Sequence, residues 1–146
     1  MITERIKDLQ TIAEEIIEQQ ELAFISGSLG LNLQGIHTRR EPKDIDIVLS
    51  QGTKFQKLDG MYKVQGLDND EYENEYYERI SYMYKNIQVD IFIPLDGIND
   101  MLISENDNNI IHYSEIMKMK IMHAYGEHYS RFKHQKDIIH FMNEVD

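Results

Sequence analysis

Residues 22–50 read LAFISGSLGLNLQGIHTRREPKDIDIVLS. A short apolar run over 22–26 reads as a strand, and Gly27 lets the chain turn tightly out of it. Leu29, Leu31 and Leu33 then supply the packing side of a short helix over 28–34, which Gly35 ends. A polar loop over 37–43 follows, with Pro42 keeping Glu41 out of helical geometry. A second strand over 44–49 carries Asp44 and Asp46. Side chains at i and i+2 of a strand share a face, so both carboxylates point one way while Ile45 and Ile47 point into a core. Two like charges side by side are costly unless a cation lies between them.

Working outward, residues 2–20 place Ile6, Leu9, Ile12, Ala13, Ile16 and Ile17 at spacings of three and four. That is one apolar helix face, with Thr3 as its N-cap. Residues 52–66 show no decisive pattern. Residues 76–84 and 87–93 alternate as two paired strands, with Lys85-Asn86 as the two-residue turn between them and Pro94 as the stop. A loop with a small helix is expected over 95–102, and an apolar stretch over 110–113. Ser114 is the expected cap of a helix running to about Tyr125 with Gly126 behind it. A last helix over 130–143 offers Phe132, Ile138, Ile139 and Met142 for burial. Helices at both ends of a few strands predict an α+β fold, a small mixed sheet with helices packed on one face.

Composition narrows the classes. At 146 residues a single domain over 1–146 is expected, with core motifs over 22–93 and a helical part over 114–143. No apolar run approaches the roughly 20 residues a membrane helix needs. The polar start, MITERIKDLQ, lacks a signal-peptide stretch, and the absence of cysteine excludes disulfides and thiolate metal sites. A cytoplasmic protein is expected. The net charge of −11 argues against an extended grip on nucleic acid, while leaving room for a local basic pocket. Much of the excess lies in 68–78, DNDEYENEYYE, which reads as a solvated loop or sheet edge.

The strand over 87–93 places Asp90 inside an apolar run, and a strand acid there calls for a partner. If its strand neighbours that of Asp44 and Asp46, three carboxylates surround one or two Mg2+ ions, or Mn2+ in their place. Mg2+ takes hard oxygen ligands and commonly joins carboxylates to substrate phosphates. Such ions stabilise the attacking and leaving oxygens of an in-line phosphoryl displacement. Backbone amides and the hydroxyl at Gly27-Ser28 are suited to holding a triphosphate.

Gly27-Ser28, then Asp44-Ile45-Asp46, then the strand acid Asp90, resembles the DNA polymerase beta-like nucleotidyltransferase superfamily. The wording over 27–49 is most similar to small bacterial nucleotidyltransferases, including the toxin enzymes of abortive-infection (type IV) toxin–antitoxin systems. Residues 113–141, YSEIMKMKIMHAYGEHYSRFKHQKDIIHF, are similar to their helical lysine followed by a second helix with Lys/Arg-Asp. The resemblance implies a Mg2+-dependent transfer of a nucleoside monophosphate from an NTP to a hydroxyl acceptor with release of pyrophosphate. It implies Asp44, Asp46 and Asp90 as metal ligands and catalytic acids, with Gly27, Ser28, Lys120 and Asp137 at the nucleotide. A cognate antitoxin or toxin is the protein partner it suggests. Ser26 departs from the pattern, standing where many relatives carry a glycine.

Bland readings stand beside these. Lys120 also suits a solvated helix face, and Lys118 competes for its role. Asp137 with Lys133 suits helix surface pairing. Arg39, Arg40 and Lys43, just before the twin aspartates, suit either a phosphate or water. The histidines show no i, i+4 pair of the kind that binds zinc on a helix, and Gly27-Ser28 matches neither a dinucleotide fingerprint nor a P-loop. A non-catalytic nucleotidyltransferase-like partner module is the alternative function, since fold does not fix activity.

Overall fold

The computed structural model describes residues 2–50, 52–64, 77–94, 109–125, 136, 138–140 and 142–143. Its elements are α1 (Glu4–Glu18), β1 (Ala23–Ser26), α2 (Gly27–Leu33), β2 (Ile45–Leu49), β3 (Tyr62–Lys63), β4 (Tyr77–Tyr84), β5 (Ile87–Pro94) and α3 (Tyr113–Tyr125). The strands form one sheet in the order β1-β2-β5-β4-β3. Among the described strands β2 and β5 pair in parallel and the other pairs are antiparallel. The outer edge of β1 is covered by 109–111: Ile25 N donates to Asn109 O (2.6 Å) and Ile111 N donates to Ile25 O (2.9 Å). Such cover removes an open template for pairing with another chain.

The α+β class and the mixed sheet are as the sequence predicts. The helices, however, divide between the two faces of the sheet. Ile45, Ile47, Leu49, Val89 and Ile91 pack with Ile6, Leu9, Ala13 and Ile16 of α1. Phe24, Val48 and Phe92 face the other way and pack with Ile111, Ile116, Met117 and Met119 of α3 and its approach. A strand covered on both sides reads as a nearly continuous apolar run. That is why β2 and β5 alternate so little, and why an aspartate within either one stands out.

Local chemistry sets most boundaries. Thr3 Oγ1 accepts from Ile6 N (3.2 Å), the expected N-cap of α1. Lys85 and Asn86 both take positive φ (52° and 65°), the geometry of a two-residue turn whose twist matches its strands. The cap of α3 is corrected: Ser114 lies inside the helix, and His112 precedes it, its Nδ1 accepting from Ser114 N (3.2 Å). The strand β3 has no counterpart in the sequence reading, because two residues are too few to show a period. Ile138 packs against the α3-side cluster, but Ile139 and Met142, expected to be buried, are 62% and 56% exposed. The small helix expected over 95–102, Gly126, Phe132 and nearly all of the acidic run lie outside the described residues.

One polar contact ties α1 to the β4–β5 hairpin. Glu15 accepts from Tyr84 Oη through Oε1 and from Lys85 Nζ through Oε2 (2.8 Å). The lysine hydrogen bond, then the tyrosine one, hold the Glu15 carboxyl below its ordinary value of 4.5. A carboxyl lowered by folding adds stability above its ordinary pKa, and that stability is lost as pH falls through the lowered value. Tyr84 is shifted upward, chiefly by the Glu15 bond, so its share is lost above its ordinary value of 10.0. Glu15→Gln is therefore expected to lower the urea midpoint at pH 7 and to fall less far below the wild type at pH 3. A gap that stays constant between those two pH values would contradict the tie.

Candidate functional site

The strand registers place four polar side chains in one row. Ser26 lies opposite Asp46, Asp46 opposite Asp90, and Asp90 opposite Ser81. Residues paired directly across neighbouring strands share a face, so the row crosses β1, β2, β5 and β4 on the side that α3 covers. The adjacent strands hold the two aspartates at a backbone spacing of roughly 4.8 Å. Ser26, Asp90 and Ser81 are buried and Asp46 is half-buried. Polar groups at that depth are costly unless each finds a partner.

Partners are present along the row. Asp90 Oδ1 accepts from Ser81 Oγ (2.6 Å) and from Gln88 Nε2 (3.0 Å). Ser26 Oγ reaches Met119 Sδ at 3.8 Å, tying the start of α2 to α3. Asp46 comes down on the turn after β1. Gly27 has φ +62°, and a methyl built on it would lie 2.1 Å from Asp46 Oδ2. Glycine is required there twice over, by conformation and by the carboxylate filling the space where a Cβ would be.

Next to this row is a small, partly open cleft lined by Ser28, Leu31, Ile36, His37, Thr38, Arg39, Arg40, Lys120 and His140. Two chain neighbours connect it to the carboxylates: Ser28 follows the glycine that touches Asp46, and Lys120 follows the methionine that touches Ser26. Among the described residues no acidic side chain lines the cleft, in a chain of net charge −11. Its arginine loop is pinned. Asn32 Nδ2 donates to Ser28 O (2.8 Å) and to Thr38 Oγ1 (2.9 Å), and Thr38 Oγ1 donates to Arg40 O (2.6 Å). At the far end of the loop, Arg5 Nη2 donates to Lys43 O (3.1 Å) and Thr3 Oγ1 to Glu41 Oε1 (2.9 Å). His140 Nε2 meets His37 O (3.1 Å) across the rim.

Of the residues singled out from sequence, Asp46, Asp90, Gly27, Ser28 and Lys120 thus gather at one corner of the sheet. Lys118 pairs with Glu115 on the exposed side of α3 (3.0 Å), which leaves Lys120 as the lysine of the cleft. Asp44 is exposed just before β2, and Asp137 lies outside the described residues. Asn32, Thr38, His37, His140, Ser81 and Gln88 escaped the sequence reading. A buried asparagine in a leucine-rich helix was the one signal among them visible beforehand.

The donor set suits a hard cation in part. Two carboxylates side by side, one seated on a glycine, are what Mg2+ uses when substrate phosphates and water complete its shell. Among the described residues no group of three or more acids and histidines converges as a ready-made cage. No family model, curated protein or solved structure matches the chain.

The contact between Gly27 and Asp46 makes a stability prediction. Gly27→Ala is expected to cost about 1–2 kcal/mol from the positive φ alone, plus a steric term against the carboxylate. Urea denaturation of Gly27→Ala, Asp46→Ala and the double variant should show the double loss falling short of the sum by at least about 0.5 kcal/mol. Strict additivity would mean that the carboxylate does not rest on the turn.

Proposed function

We propose that the chain is a Mg2+-dependent nucleotidyltransferase that moves a nucleoside monophosphate from an NTP to a hydroxyl acceptor. The observation that carries this reading is the juxtaposition of the Asp46–Asp90 pair with a basic cleft on an otherwise acidic protein. A triphosphate needs cations on its β and γ groups and metal-binding oxygens at its α group, and these two features meet at Gly27-Ser28. The motif resemblance over 27–49 and at Asp90 supports the same reading.

In this reading Ser28, Arg39, Arg40 and Lys120 bind the phosphates, and the bonds of Asn32 and Thr38 hold the arginine loop for that task. Asp46 and Asp90 would hold the metal, with Asp44 joining from its position just before β2. The metal, when bound, neutralises charge on the α-phosphate and the leaving oxygen. The acceptor oxygen forms a bond to the α-phosphorus as the bond to the α–β bridging oxygen breaks, and pyrophosphate leaves. The hydroxyl proton passes to a carboxylate of the Asp46–Asp90 pair. The small cleft and the acidic remainder favour a small molecule, a protein hydroxyl or an RNA end as acceptor over a long nucleic-acid footprint.

The second reading, a nucleotide-binding module without catalysis, is favoured by one observation: among the described residues no third acid or histidine converges with the Asp46–Asp90 pair. Each NTP titrated with Mg2+ or Mn2+, followed by binding and by pyrophosphate release, separates the two. Transferase activity is expected, with Asp90→Asn reducing kcat at least about 100-fold, the upper end even for a group acting behind a metal ligand. Arg40→Ala should weaken NTP binding while leaving the fold intact. Binding without pyrophosphate release would assign the module. No nucleotide binding by the wild type would end both readings.

A further inference from the structure

Asp90 is held in an asymmetric way. Both of its donors, Ser81 Oγ at 2.6 Å and Gln88 Nε2 at 3.0 Å, converge on Oδ1. A carboxylate torsion is broad and nearly two-fold, so nothing in the side chain itself prefers one oxygen over the other. The choice comes from the sheet. Ser81 stands directly across the β4–β5 ladder from Asp90, and Gln88 lies two residues earlier on the same face of β5. Ser81 is fully buried, where alanine would pack without needing a partner, and Gln88 is half-buried, where its amide had water as an alternative.

The identity of the donors matters as much as their place. A lysine or arginine on Oδ1 would cancel the charge of the carboxylate and compete with a bound cation. A hydroxyl and an amide fix the carboxylate plane while leaving its negative charge in place. We propose that Ser81 and Gln88 are positioning residues that hold Asp90 as a one-oxygen ligand, with Oδ1 engaged and Oδ2 left to a cation shared with Asp46. This inference rests on the nucleotidyltransferase reading and adds to it two residues that the motif resemblance does not include. Their effect is on the metal rather than on the nucleotide, because neither lines the basic cleft.

Mn2+ binding measured by electron paramagnetic resonance on the whole chain, alongside kcat and KM for the NTP, tests it. Ser81→Ala and Gln88→Ala are each expected to weaken Mn2+ about 10- to 100-fold, with kcat falling and KM for the NTP little changed. Ser81→Thr, which keeps the hydroxyl, should restore wild-type Mn2+ affinity. If Ser81→Ala fails to fold, Gln88→Ala at its half-buried position carries the test. Unchanged Mn2+ affinity in the folded variants, with Asp90→Asn abolishing binding, would overturn the positioning role and leave the transferase reading standing. A wild type that binds no Mn2+ would overturn both.

Discussion

The parallel pairing of β2 with β5 is the constraint on which the candidate site depends. It sets Asp46 against Asp90 in register, on a face that α3 covers. Each strand on its own carries one acid in an apolar run, which a sheet tolerates at an edge. Brought to the middle of the sheet and paired, the two charges need a solution, and the surroundings show how it is built. Gly27 leaves room for one carboxylate, while Ser81 and Gln88 fix the other. The flanking row of Phe24, Val48 and Phe92 keeps that part of the sheet apolar, which strengthens whatever electrostatics operate there.

The same corner joins α2, the arginine loop and α3. Asn32 binds both the start of its own helix and Thr38, while Gln34 donates to Ile111 O (2.8 Å) and accepts from Tyr113 N (2.9 Å). Asn32 of α2 and Gln34, the residue that caps that helix, thereby set the positions of Arg39 and Arg40 on one side and the start of α3, which carries Lys120, on the other. Concentrating positive charge in one cleft of an acidic chain raises the local concentration of anionic ligands while the rest of the surface repels long polyanions. Among the described residues no helix is long and apolar enough to cross a membrane.

Much of this was legible in the sequence, for physical reasons. Strong periodicity gave α1 and the β4–β5 hairpin, and the demand for positive φ gave Gly27, Gly35 and the Lys85-Asn86 turn. Asp46 and Asp90 stood out because strands covered on both faces leave no ordinary place for an acid. What stayed hidden depends on contacts between distant segments. The β2–β5 neighbourhood is fixed by residues more than forty positions apart in the chain, and no local pattern encodes it. The placement of helices on both faces, the two-residue β3, and the donors to Asp90 are of the same kind. His112 replaced Ser114 at the cap because an imidazole nitrogen can accept the same backbone bond that a hydroxyl usually takes.

The proposed cation site is the Asp46–Asp90 pair beside the basic cleft. Crystals grown with Mn2+ and a non-hydrolysable NTP analogue, measured at the manganese absorption edge, test it most directly. An anomalous peak contacting both carboxylates, with the phosphates reaching Ser28, Arg39 or Arg40 and Lys120, is the result this account predicts. Manganese bound elsewhere, or an analogue seated away from the Gly27-Ser28 turn, would contradict it.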